Sequence, residues 1–118
     1  MIRFNKYEHK KFLILISDLI RKVSKGDRLS SISNKVGALI KIEANNRKKK
    51  VTVVDFGCGS MEISKKIQNK KFIKKIIGLD IFDANYKYKK LHYHNYKNLD
   101  NLKKFKPDVV ILIDVLHH

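Results

Sequence analysis

The chain reads as an α/β fold, a parallel sheet with helices on both faces, preceded by two N-terminal helices. Three observations predict this. From residue 51 onward, short β-branched runs alternate with polar stretches at helical spacing, the texture of strand–helix–strand units joined by crossovers. Two of those runs are almost wholly apolar, as strands buried on both faces are. Before residue 51 the apolar residues recur instead at intervals of three, four and seven.

Taken in order, residues 8–24 place Phe12, Ile16, Leu19, Ile20 and Val23 on one helical face, and Gly26 and Asp27 supply the break. Ile14 and Leu15 widen that face and acids interrupt the polar one, so the expected helix covers a core and does not lie on a membrane. Leu29, Ile32, Val36, Leu39 and Ile40 predict a second helix ending near Asn45 and Asn46. The run "RKKK" at 47–50 reads as a solvated loop, with an RNA contact as the lesser alternative. "VTVVDFG" is the first strand of the sheet, and Ser60 is placed to cap a helix carrying Ile63 and Ile67. "KKIIGLDIF" supplies a second strand ending at Asp80, and "KLHYHNY" a third, half-exposed one. "DVVILIDVL" is the most apolar strand, with Pro107 just ahead of it, where a missing N–H costs no ladder bond. Residues 1–50 therefore form an N-terminal helical segment and 51–118 the sheet domain; no internal repeat is visible.

The formal net charge of +16 points toward an anionic partner. The excess is nearly all Lys, however, and Arg, the residue that grips phosphate bidentately, occurs only at 3, 21, 28 and 47. An A/T-rich genome explains such a composition, which leaves nucleic acid as the lesser expectation. Cys58 is the single cysteine, so no intrachain disulfide forms, and a reducing cytoplasm is the simplest compartment. "FLILISDLI" is too short to span a bilayer, contains Asp18 and is followed by no cleavage site, which argues against an anchor or signal peptide.

The chemistry gathers at "VVDFGCGS". Ligands of open α/β sheets sit beyond the carboxyl ends of the strands, and the turn after the first strand is the usual place. Gly57 and Gly59 permit close backbone approach, and Asp80 stands 21 residues beyond Gly59, the spacing at which a carboxylate takes both hydroxyls of a ribose. A nucleoside-containing cofactor follows. Glu62 occupies the place where a dinucleotide fingerprint wants a small residue, and a carboxylate there repels a diphosphate. Asp55 suits a ligand bearing an ammonium or sulfonium, and no Gly-Lys-Ser/Thr follows to make a P-loop.

"VVDFGCGS", "IIGLDIF" and "PDVVILIDVLHH", in that order and at those spacings, resemble the first, second-strand and fourth-strand motifs of class I S-adenosylmethionine-dependent methyltransferases. The resemblance spans 51–118 and implies a Rossmann-like sheet. It further implies that Gly57, Cys58 and Gly59 line the methionine part of S-adenosyl-L-methionine, that Asp55 lies near its amino end, that Asp80 holds the ribose and that Ile81 packs on the adenine. An acid commonly follows the family's third strand; here the stretch is "HNYKN", so Asn95 or Tyr96 has to supply the adenine-side contact. Asp114 begins the loop between methyl group and acceptor, and His117 or His118 is the candidate general base.

The plainer readings are that Asp55 and Asp80 cap helices, that Cys58 is a small filler, and that His92 and His94 face solvent, with no third metal ligand spaced beside them. The family's sheet has seven strands and this sequence accounts for about four. With the family's strand order "VVILIDVL" becomes a bare apolar edge, an aggregation hazard from which a partial chain is expected. The expected activity is methyl transfer to a small-molecule or lipid-like acceptor. The alternatives are an RNA methyltransferase and a noncatalytic S-adenosylmethionine-binding module.

Overall fold

The computed structural model describes residues 3–8, 12–18, 25–56, 62–80, 87–88, 90–95 and 104–113. Among them lie seven strands and two helices: β1 (Arg3–Glu8), β2 (Leu13–Asp18), α1 (Lys25–Arg47), β3 (Val51–Phe56), α2 (Glu62–Ile67), β4 (Ile73–Asp80), β5 (Lys87–Tyr88), β6 (Leu91–Asn95) and β7 (Val109–Ile113). They form one sheet in the order β1-β2-β7-β3-β4-β6-β5. The five inner strands are mutually parallel, and the outer strands β1 and the two-residue β5 are antiparallel to their neighbours. This is an α/β fold built on a parallel sheet, with the strand of the glycine motif, β3, between β4 and β7, the placement that the resemblance implies for the first, second and fourth motif strands.

The largest correction concerns residues 8–24. No helix lies there among the described residues; 13–18 form a strand paired to β1 on one side and to β7 on the other. The helical spacing of Phe12, Ile16 and Leu19 coexists with an unbroken apolar run from 12 to 16, and a run of that length fits a strand buried on both faces equally well. Tertiary pairing decides between them. The edge of β7 offers a row of backbone donors and acceptors that burial leaves unsatisfied, and β2 satisfies them over five register pairs from Leu13↔Val109 to Ser17↔Ile113. The bare edge expected at "VVILIDVL" is therefore covered by the chain's own N-terminal strand, and the partial-chain argument drawn from that edge falls with it. Of the two expected N-terminal helices only the second exists among the described residues, as α1.

Both described helices lie on one face of the sheet. Ile32, Val36, Ile40 and Ala44 of α1 recur every four residues and bury against Val51, Val53, Val109 and Ile111, joined by Ile63 and Ile67 of α2. The opposite face buries Val54, Ile77, Leu79 and Val110, with Phe12, Ile14, Phe56 and Phe105 packed on them. The helices expected on that second face have no counterpart among the described residues.

The 47–50 run is only in part a solvated loop. α1 ends where Lys48 takes a left-handed conformation (φ 55°), and the amides of Lys48 and Lys49 turn back to the carbonyls of Asn45 and Ala44 at 3.2 and 3.3 Å. That is the pair of hydrogen bonds of a Schellman cap. Arg47 and Lys49 then both reach the Oδ1 of Asp108 at 3.0 Å. The Oδ2 of Asp108 accepts from the backbone N–H of Thr52 at 2.9 Å. The backbone of Asp108 also donates to the carbonyl of Thr52 and accepts from Leu13. Asp108, through its carboxylate and its backbone together, thus ties the end of α1 to the starts of β2, β3 and β7.

Candidate functional site

The carboxyl ends of β3, β4 and β6 lie side by side, because these strands are parallel neighbours in close register: Asp55 is opposite Gly78, and Asp80, two residues further along β4, is opposite Asn95. The acid of the glycine motif, the acid of the second-strand motif and the Asn placed in the adenine-side contact are therefore brought to one end of the sheet. That end is where open α/β sheets bind ligands.

Asp55 is buried, and its Oδ2 accepts a 2.7 Å hydrogen bond from the hydroxyl of Ser64, itself fully buried on α2. A charged acceptor makes this a strong bond. It joins the end of β3 to the first turn of α2, so both ends of the segment carrying Gly57 and Gly59 are anchored. Asp55 was expected beside the cofactor's amino end; what the structure gives it is this framework bond to Ser64. Ser64 is absent from the sequence reading. Its signal was a small polar residue next to Ile63 on the helix face that carries Ile67, where a buried hydroxyl needs a partner.

For Asp80 and Asn95 the structure describes the backbone positions at the ends of their strands. Gly57, Cys58, Gly59, Ser60, Ile81, Tyr96, Asp114, His117 and His118 lie outside the described residues. His92, on β6, is half-buried between the buried Leu91 and Tyr93, so the described side chains at 91–93 alternate in burial. Among the described residues no three of His, Cys, Asp and Glu gather closely enough to hold a metal ion, and no helix is long and apolar enough to cross a membrane.

The helix-covered face carries a second feature that the sequence reading passed over. Ser30, Asn34, Gly37 and Lys41 form one stripe of α1 across from Lys66 on α2 and Lys70 just beyond it, and between them runs an open groove of about 630 Å³. A second hollow of about 500 Å³ continues past Lys41 and Phe72 to Lys48 and Lys50. No family model, no curated protein and no solved structure matches this chain.

Proposed function

We propose that the chain binds S-adenosyl-L-methionine at the carboxyl ends of β3, β4 and β6 and serves methyl transfer from it. The observation that carries the reading is the register that sets Asp80 at the end of β4, next to the strand that leads into the glycine turn and opposite Asn95. A nucleoside laid across those strand ends meets the turn with its charged portion, a carboxylate with its ribose and an amide with its base. The anchored base of the turn, through Asp55 and Ser64, supports the same reading, since a turn that approaches a ligand closely has to be held.

In the reaction the acceptor's lone pair attacks the methyl carbon in line with the departing sulfur. The C–S bond breaks, sulfur leaves as a neutral thioether, and the acceptor's proton passes to a base or to solvent. The sulfonium is already an activated leaving group, so alignment of the reactants supplies most of the rate. His117 and His118 are the candidate bases. The small-molecule or lipid-like acceptor expected from the sequence draws no support from the described residues, whereas the lysine groove favours an anionic one.

Calorimetry of this chain with S-adenosylmethionine and, separately, with NAD tests the cofactor. Binding of the first and not the second is expected, and tight NAD binding without a response to the sulfonium overturns the reading. Asp80→Asn converts one acceptor into a donor, which costs about 1.5–3 kcal/mol of affinity, a weakening of about tenfold to a hundredfold. A 2′-deoxyribose analogue should bind more weakly and lose much less on that substitution; additive losses refute the role of Asp80.

A further inference from the structure

We propose that the groove between α1 and α2 is a docking surface for a single strand of nucleic acid, held by its phosphates on Lys41, Lys66 and Lys70 and by a base stacked on Phe72. The groove is walled by one sign of charge. Residues 63–79 contain six lysines and no acid. The two helices carry the acids Asp27, Glu43 and Glu62; the Oε2 of Glu43 is engaged by Arg47 at 2.7 Å, and no acid is among the described residues that line the groove. Asp108 is likewise occupied by Arg47 and Lys49. Lys90 spends its ammonium on the carbonyls of Lys70 and Ile73. By contrast, Lys41, Lys66 and Lys70 form no ion pair among the described residues, and all three are exposed along the groove. Charge that the fold consumes is thus separable from charge left facing a cavity, and three such lysines face this one.

The shape and the remaining lining select the partner. Ser30 and Asn34 offer hydrogen-bonding groups suited to sugar and phosphate oxygens, and half-buried Phe72 borders both hollows where they meet. A basic trough with an aromatic platform is how single strands are held without sequence preference. An anionic membrane calls for apolar side chains projected from the surface, and Ile42 is the one large exposed hydrophobic among the described residues. The groove also has a direction. α2 begins beside Asp55, at the carboxyl end of β3, and α1 ends at the Asp108 clamp near the opposite ends of the strands. Ser30 lies 17 residues before Arg47, about 26 Å along the helix, so a strand in the groove runs from the amino ends of the sheet strands toward their carboxyl ends.

The proposal stands apart from the cofactor reading, and its test needs no cofactor. Fluorescence anisotropy of a labelled 12-nucleotide oligouridylate, titrated with this chain between about 20 and 200 mM NaCl, should show binding whose logarithm falls with log salt at a slope of about −2 to −3, as for three to four displaced counterions on a single strand. Lys41→Glu/Lys66→Glu/Lys70→Glu should weaken binding at least thirtyfold. Lys6→Glu/Lys104→Glu/Lys106→Glu changes the net charge equally away from the groove and should weaken it less than fivefold. Phe72→Leu keeps the apolar volume and should cost about fivefold, the loss of one stacked base. Equal losses from the two triple variants would show attraction by net charge alone and overturn the proposal, as would absence of binding by the unmodified chain at 20 mM salt. Groove-dependent binding to phosphatidylserine vesicles that exceeds binding to the oligonucleotide also overturns it, in favour of a membrane surface. The unmodified chain's salt slope keeps the test decisive if the groove variant fails to fold, and calorimetry with S-adenosylmethionine separates failure here from failure of the cofactor reading.

Discussion

Asp108→Ala removes the acceptor that three donors share, and the structure says how the cost divides. The carboxylate side chain is 9% exposed, and the Thr52 N–H it accepts is buried; with Ala that N–H loses its partner. An unsatisfied buried donor costs about 1–3 kcal/mol. The ion pairs contribute less, because Arg47 is 26% and Lys49 55% exposed. Solvent screening leaves each of these pairs about 0.2–1 kcal/mol. The expected destabilisation is about 2–4 kcal/mol, a large share of the roughly 5–15 kcal/mol that holds a domain folded. In urea denaturation the midpoint should fall by about 1–2 M with an unchanged slope. Asp108→Asn retains a carbonyl oxygen for Thr52 and loses the charge, so it should cost about 1 kcal/mol, and Lys49→Ala less than about 0.5 kcal/mol. A loss below about 0.5 kcal/mol for Asp108→Ala would refute the clamp. An Asn variant as damaged as the Ala variant would show that the ion pairs, and not the Thr52 bond, carry the energy.

Other consequences can be checked independently. Ser64→Ala leaves the buried carboxylate of Asp55 without its hydroxyl donor and should lower stability by about 1–3 kcal/mol, read by the same titration, while Ser64→Thr, which keeps the hydroxyl, should recover part of the loss. Leu15 is fully buried in the helix-covered core, so Leu15→Ala should cost about 2–5 kcal/mol. The backbone amides of 13–17 should be protected from hydrogen exchange; exchange at loop rates would refute their place inside the sheet. At the left-handed Lys48, Lys48→Val should cost about 1–2 kcal/mol whereas Lys48→Asn should be nearly neutral, because Asn tolerates that conformation and a β-branched residue does not.

Much of the sheet was legible because the cues were local. "VTVVDFG", "KKIIGLD", "LHYHN" and "VVILI" each carry their strand identity in their own composition, and the parallel arrangement follows from the helical stretches between such runs. The small helix with Ile63 and Ile67 and the long one ending near Asn46 were legible for the same reason. Residues 12–18 were not. Their apolar run satisfies a helix and a doubly buried strand alike, and the difference is made by the edge of β7, about a hundred residues away, which needs a partner. Asp108 belongs to the same class: beside Pro107 it reads as the lead-in to a strand, and only folding brings Arg47, Lys49 and the Thr52 amide around it.

The candidate site divides in the same way. The glycine turn, Asp55 and Asp80 stand out in the sequence because residue type and spacing carry their chemistry, and the hydrogen-bond register of β3, β4 and β6 gathers Asp55, Asp80 and Asn95 at one end. The sequence shows that lysines abound and cannot show which of them the fold consumes. Lys49 and Lys90 are bound to a carboxylate and to carbonyls, whereas Lys41, Lys66 and Lys70 face a groove. Residue type and spacing act through the nearest few residues, so the sequence alone determined the character of β3, β4, β6 and β7 and singled out the candidate motif residues. Backbone pairing and charge neutralisation join residues far apart in the chain, so only the tertiary structure decided which edge was covered and which lysines face the groove.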